Sequence, residues 1–258
     1  MVKKIAYEEF QEWIRELRNQ HYGAKNNYLL RREMSSFEAF CKIFHPIYED
    51  LSIKDQKVSW DEYFRSNEQT SNKSEPESND PEILEIVRES TLSRGWPDGP
   101  FQSKRIMWRT LTERYGLNFN EDLCTSTFDR IFPKKSWPRY LVGPQEGELD
   151  LDSLNLLCDI LRVFTTCHKC FLYSEPWRNR NYEPQVLLGY IQDSLKVVDS
   201  GEFYDPPNLW WSADKTWFIE TNPDLPYTVA GGSQRFINRI VADSYLEAIE
   251  VWPKGVEN

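Results

Sequence analysis

Asn208 to Trp252 reads NLWWSADKTWFIETNPDLPYTVAGGSQRFINRIVADSYLEAIEVW, and the fold turns on this stretch. Thr216 to Thr221 alternates apolar and polar side chains as a half-buried strand does. Asn222-Pro223-Asp224 follows as a turn, because proline presets its own backbone while Asn and Asp close local hydrogen bonds. Tyr227 to Ala230 then returns antiparallel, which gives a hairpin. Gly231-Gly232 allows a tight backbone path, Ser233 is a good N-cap, and Phe236, Ile237, Ile240 and Val241 recur at helical spacing. The stretch is therefore expected to be a hairpin that feeds a helix.

Glycines ahead of a helix N-terminus can cradle a phosphate, since free N–H groups and the helix dipole converge there. Neither the dinucleotide fingerprint nor the P-loop pattern is met, and no lysine sits close by, so turn and cap chemistry is expected instead.

Trp210-Trp211, Asp214, Trp217, Asp224, Gly231-Gly232-Ser233 and Leu246-Glu247, preceded by Cys170-Phe171-Leu172-Tyr173 and Trp177, resemble the C-terminal signature of a family of uncharacterised bacterial proteins. The resemblance spans roughly residues 150–251. It implies a bacterial origin and a folded C-terminal domain, and it brings no activity, substrate or cofactor.

With 258 residues, 40% hydrophobic and 14% aromatic, the chain has material for a sizeable core. The apolar runs are short, as in LNLLCDIL and TWFI, and the start MVKKIAYEEFQEW is amphipathic where a signal peptide needs a plain apolar run. The expected location is the cytoplasm, away from membranes. Five scattered cysteines do not read as a disulfide framework. The net charge of −10 is uneven: residues 1–144 carry 23 acidic and 22 basic side chains, whereas residues 145–258 carry 18 acidic and 9 basic. Such an acidic half disfavours nucleic acid and favours a basic protein partner.

Upstream, the sequence predicts helices. Tyr7, Phe10, Ile14 and Leu17 make a stripe within 5–19, and Ser35-Ser36-Phe37-Glu38 reads as a capping box for a helix carrying Phe37, Phe40, Cys41 and Phe44 up to Pro46. A short helix follows Ser59-Trp60-Asp61-Glu62. Ser66 to Asp80 has no apolar residue, so it is expected to be a flexible linker dividing a helical region 1–65 from an α+β domain 81–258. Further helices are expected over 80–95, 103–115 and from Asn120 to near Phe132. Leu151 to Phe164 carries the clearest stripe, beginning at Asp150 or Asp152. It should cover a sheet made of 170–173, 186–191, 195–198, 216–221 and 227–230. The expected class is α+β, with a helical N-terminal half and a C-terminal antiparallel sheet covered by helices.

Few residues suggest chemistry. Cys167-His168-Lys169-Cys170 has the two-residue spacing of a zinc or redox pair, but there is no second ligand pair and the motif enters a strand rather than a helix, so buried or strand-edge thiols are expected. His45 precedes a proline at an expected helix end, with no nucleophile signature beside it. Basic residues between Arg94 and Arg114, with Trp96, Phe101 and Trp108 among them, fit a solvated helix face better than a nucleic-acid face in so acidic a chain. No metal or cofactor is expected. The preferred function is a non-enzymatic protein-binding module, immunity-type or regulatory, that masks a basic partner through Trp177, Glu202, Asp205, Trp210, Trp211, Asp214 and Asp224. The alternatives are a hydrolase-like enzyme with a cleft between Trp177, Trp210, Trp211 and Glu220, and a defence or phage-related nucleic-acid factor using Arg105 and Arg109.

Overall fold

A computed structural model describes residues 3–15, 37–67, 102–147, 149–175, 183–200 and 207–251. The chain forms two compact units, one made of Met1–His45 with Glu146–Asn258 and the other of Pro46–Gln145. Both expected boundaries, at the two ends of 66–80, fall inside the second unit. Residues 68–80 themselves, and the expected helix over 80–95, lie outside the described residues.

The first unit is built on an eight-stranded sheet. In chain order its strands are β1 (Lys3–Ile5), β2 (Ala39–Phe44), then β6 (Lys169–Ser174), β7 (Gln185–Tyr190), β8 (Leu209–Ser212), β9 (Phe218–Thr221), β10 (Tyr227–Gly232) and β11 (Ala248–Val251). Across the sheet they run β1-β7-β6-β8-β9-β10-β2-β11, with every neighbouring pair antiparallel. The hairpin and the following helix form as the local signals predict: β9 and β10 pair through Ala230 opposite Ile219, and Asn222 Oδ1 accepts from the Asp224 N–H at 2.9 Å to close the turn.

The expectation of a helical N-terminal half is overturned. Ala39–Phe44 is a wholly buried strand lodged between β10 and β11, not a helix. Its apolar residues at 37, 40, 41 and 44 fit a helical stripe equally well, and that coincidence hides the strand. The decisive difference is Ile43 and Ala39: a helix with that stripe turns them outward, whereas the strand buries both on the face opposite Phe40 and Phe44. Burying one side chain of isoleucine size contributes roughly 1.5–3 kcal/mol, well above the few tenths at stake in helix propensity. Residues 3–5, which open the other expected N-terminal helix, form strand β1, a single 3-10 turn follows at Tyr7–Glu9, and helical turns cover 11–15. The C-terminal half also differs: 195–198 lies within a helix rather than a strand, and the sheet includes two unexpected strands, Leu209–Ser212 and Ala248–Val251.

Three helices of this unit cover one face of the sheet: α4 (Leu151–Val163), α5 (Ile191–Ser200) and α6 (Gln234–Val241), named in chain order after the three of the second unit. Asp150 caps α4 by accepting from Ser153 N–H at 3.1 Å, and Ser233 caps α6 by accepting from Phe236 N–H at 3.3 Å. Leu157, Leu161, Phe236, Ile237 and Ile240 meet Cys41, Ile43, Leu172, Trp210 and Ile219 there. The opposite face is closed by the N-terminal segment, with Phe10, Trp13, Ile14 and Phe37 laid over Phe171, Trp211, Phe218 and Phe40.

The second unit holds a three-stranded antiparallel sheet, β4 (Ser103–Ile106), β3 (Ile47–Asp50) and β5 (Leu141–Val142) in that order, with α1 (Trp60–Asn67), α2 (Trp108–Arg114) and α3 (Thr125–Asp129). Helix α1 starts on a reciprocal box: Ser59 Oγ accepts from Glu62 N–H at 3.2 Å and Glu62 Oε2 accepts from Ser59 N–H at 3.1 Å. The helix expected over 103–115 is therefore a strand followed by a shorter helix, and Gly116 ends it in the left-handed region at φ 66°. Its core is aromatic. Phe128, Phe132 and Trp137 are mutually packed at 5.4 to 6.0 Å, and the Trp137 indole donates to Asp129 at 2.6 Å. Among the described residues no helix is long and apolar enough to cross a membrane.

Gly231 sits in β10 between Phe218 and Phe40, and a Cβ there meets the Phe218 ring and lies 2.9 Å from Phe40 Cδ1. Strand glycine in this position makes room for two rings. Gly231→Ala is expected to lower the unfolding free energy by about 1–3 kcal/mol, seen as a lower urea midpoint with the slope unchanged; an unaltered midpoint contradicts the packing described.

Candidate functional site

The sequence places Trp210 and Trp211 side by side, and the sheet separates them. Successive residues of a strand face opposite ways, so Trp210 joins Ile219, Leu172 and the helices on one face while Trp211 joins Phe171, Phe218 and Trp13 on the other. Both are buried, at 4% and 0% exposure. No single cleft takes both rings, and Glu220, opposite Leu209, is on the Trp211 face. Trp177, Glu202 and Asp205 lie outside the described residues.

Asp214 and Asp224 are exposed, and β9 keeps them apart. Asp214 belongs to the turn between β8 and β9, Asp224 to the turn between β9 and β10, so they mark opposite ends of the strands, at least about 13 Å apart by strand rise alone. The Asp214 Oδ1 accepts from Thr216 Oγ1 at 2.8 Å and from Thr216 N–H at 3.3 Å. Slight burial pushes this carboxyl up, but the hydrogen bonds from Ser212 and Thr216 outweigh it and hold the group below its ordinary value. Its charge thus supports its own turn while remaining on the surface.

His45 is wholly buried at the end of β2. Its Nε2 lies 3.0 Å from Thr228 Oγ1, which is 2.7 Å from Thr221 Oγ1, and its backbone N–H donates to Pro226 at 3.1 Å. An imidazole beside a hydroxyl is the arrangement of a base and a nucleophile, yet no substrate reaches a side chain with 0% exposure, so the chain of three ties β2 to β10 and β9. The sequence separation of 183 residues hides this partnership from any local pattern.

In the second unit Arg114, at the end of α2, donates to Glu49 Oε1 on β3 at 2.7 Å and to the Tyr140 hydroxyl at 3.3 Å, and Tyr140 lies 3.1 Å from the Tyr115 hydroxyl. Partial burial works against the Arg114 cation, but Glu49 and Tyr140 hold it charged. Burial first, then the Tyr140 hydroxyl, pushes the Tyr115 phenol up. The cluster clamps the helix end to the sheet. The expected basic helix face is divided: Lys104 and Arg105 stand on β4, Arg105 opposite Tyr48, while Arg109 lies over the Phe119 ring at 4.0 Å.

The cysteine motif is also taken apart. Cys167 is exposed, whereas Cys170 on β6 points into the helix-covered core, near Cys158 of α4. Burial pushes Cys158 up to about 12 and raises Cys41 as well. Among the described residues no group of three or more His, Cys, Asp or Glu side chains is placed to hold a metal ion.

No protein-family model, curated protein or solved structure matches this chain.

The thiols provide a direct check on this placement. Alkylation of the native protein followed by peptide mass spectrometry is expected to label Cys167 rapidly and to leave Cys41, Cys158 and Cys170 unmodified until denaturant is added, since the thiolate is the reacting form and burial suppresses it. Rapid native labelling of Cys170 would contradict the core described.

Proposed function

We propose that the chain is a non-enzymatic protein-binding module, immunity-type or regulatory, whose acidic half steers and masks a basic protein partner. The observation that carries this proposal is the closure of both sheet faces. With Trp210 and Trp211 consumed by separate cores, the cleft required by a hydrolase-like enzyme has lost its two central rings, while Asp214 and Asp224 stand on exposed turns. The surplus of 18 acidic over 9 basic side chains in residues 145–258 supplies the long-range field. Because Asp214 and Asp224 mark opposite sheet ends, they act through that summed field rather than as one contact patch.

Charges at the rim of an interface act on association rate more than on folding, and salt screens them over about 8–10 Å. A four-site variant with Glu202→Gln, Asp205→Asn, Asp214→Asn and Asp224→Asn is expected to keep its thermal midpoint within a few degrees. With a basic partner captured from host extract at low salt and released at high salt, that variant should associate at least about threefold more slowly at low salt. Equal rates for wild type and variant, or no salt-sensitive basic partner at all, would leave the acidic half as a soluble surface only.

A further inference from the structure

One end of the first unit's sheet carries the opposite charge. The pairing places Lys3 opposite Leu188, Leu188 opposite Phe171, and Lys169 opposite Tyr190, so strand alternation brings Lys3, Lys169 and Tyr190 to the same face at the same end. The turn after β8 adds Lys215, because Ala213 N–H donates to the Lys169 carbonyl at 3.1 Å. All three lysines are exposed. The Lys169 ammonium lies 5.6 Å from the centre of the Tyr190 ring, itself 41% exposed, and the Lys215 ammonium lies 5.3 Å from the Trp13 ring. In the turn that carries Lys215, Asp214 Oδ1 accepts from Thr216 Oγ1 at 2.8 Å, and the three ammonium groups outnumber that one carboxylate.

We propose that the cluster of Lys3, Lys169 and Lys215 over Tyr190 and Trp13 is a docking surface for an extended acidic peptide segment of a protein partner. Three arguments select this occupant, none of which depends on the steering by the acidic half. Complementary charge is the first. The second is span: β1 to β8 covers three interstrand steps, about 14 Å, which an extended chain of four or five residues bridges. The third separates peptide from nucleic acid. Stacking a base needs an open ring face, and here the Tyr190 and Trp13 rings each have an ammonium group over one face.

The test uses the full chain and fluorescein-labelled octaglutamate, followed by anisotropy at about 50 and about 200 mM salt. Wild type is expected to bind at the lower salt and weaken at the higher. K3Q/K169Q/K215Q should weaken binding by roughly 3- to 100-fold, the product of three exposed ion pairs. K54Q/K57Q/K135Q removes the same charge from exposed positions of the other unit and should change binding less than twofold or so. Circular dichroism melting of both variants keeps a folding defect distinguishable from a lost contact. Three results overturn the proposal: no octaglutamate binding at low salt by folded wild type, equal losses in the two triple variants, or tighter binding of an eight-residue oligothymidylate with the same lysine dependence, which would assign the surface to nucleic acid.

Discussion

The pairing of Ala39–Phe44 with Tyr227–Gly232 is the constraint on which the first unit depends. It joins segments nearly two hundred residues apart, so its loop-closure entropy must be recovered by burial on both faces. Six consecutive buried residues recover it. Ala39, Cys41 and Ile43 enter the helix-covered core, while Phe40 and Phe44 lie on the other side with Phe37 and Phe218 close to Phe40. The same strand also holds β11 on its far side, and its last turn positions His45 against Thr228.

Because β2 is buried on both faces, the sheet is covered on both sides, and this explains where the tryptophans go. A sheet with one solvated face alternates apolar and polar residues, but β8 reads Leu-Trp-Trp-Ser and buries all four. The ring set Phe10, Trp13, Phe171 and Trp211 seals the face that no α-helix of eight or more described residues covers. Aromatic wealth in this chain is thus a device for covering a wide sheet, and the surface is left to charge.

That division of labour frames the functional proposals. In those proposals the acidic surplus would act over the range of a screened field, and the lysine cluster at one sheet end at contact distance. The first is a sum over many side chains, in which Lys169 and Lys215 are only two of nine basic ones, and the second rests on three. Deep inside, His45, Thr228 and Thr221 exchange hydrogen bonds that hold strands together, as Arg114, Glu49 and Tyr140 do for a helix end in the second unit.

How much was legible beforehand follows from the range of each interaction. The sequence determined the β9–β10 hairpin, the Ser233 cap of α6, the Asp150 cap of α4 and the short helix beginning near Ser59, because each rests on residues within a few positions of one another, and it determined the lopsided charge, which is a plain count. Only the tertiary structure decided that 39–44 and 103–106 are strands, that 195–198 is helical, that Trp210 and Trp211 serve different cores, and that Lys3, Lys169 and Lys215 meet. In each of those cases the local pattern admits both a strand and a helix, or is silent, and the choice is made by a partner far away in the chain. Periodicity records which side of a segment is apolar, but a segment buried on all sides carries no such record, and its conformation is set by what packs against it.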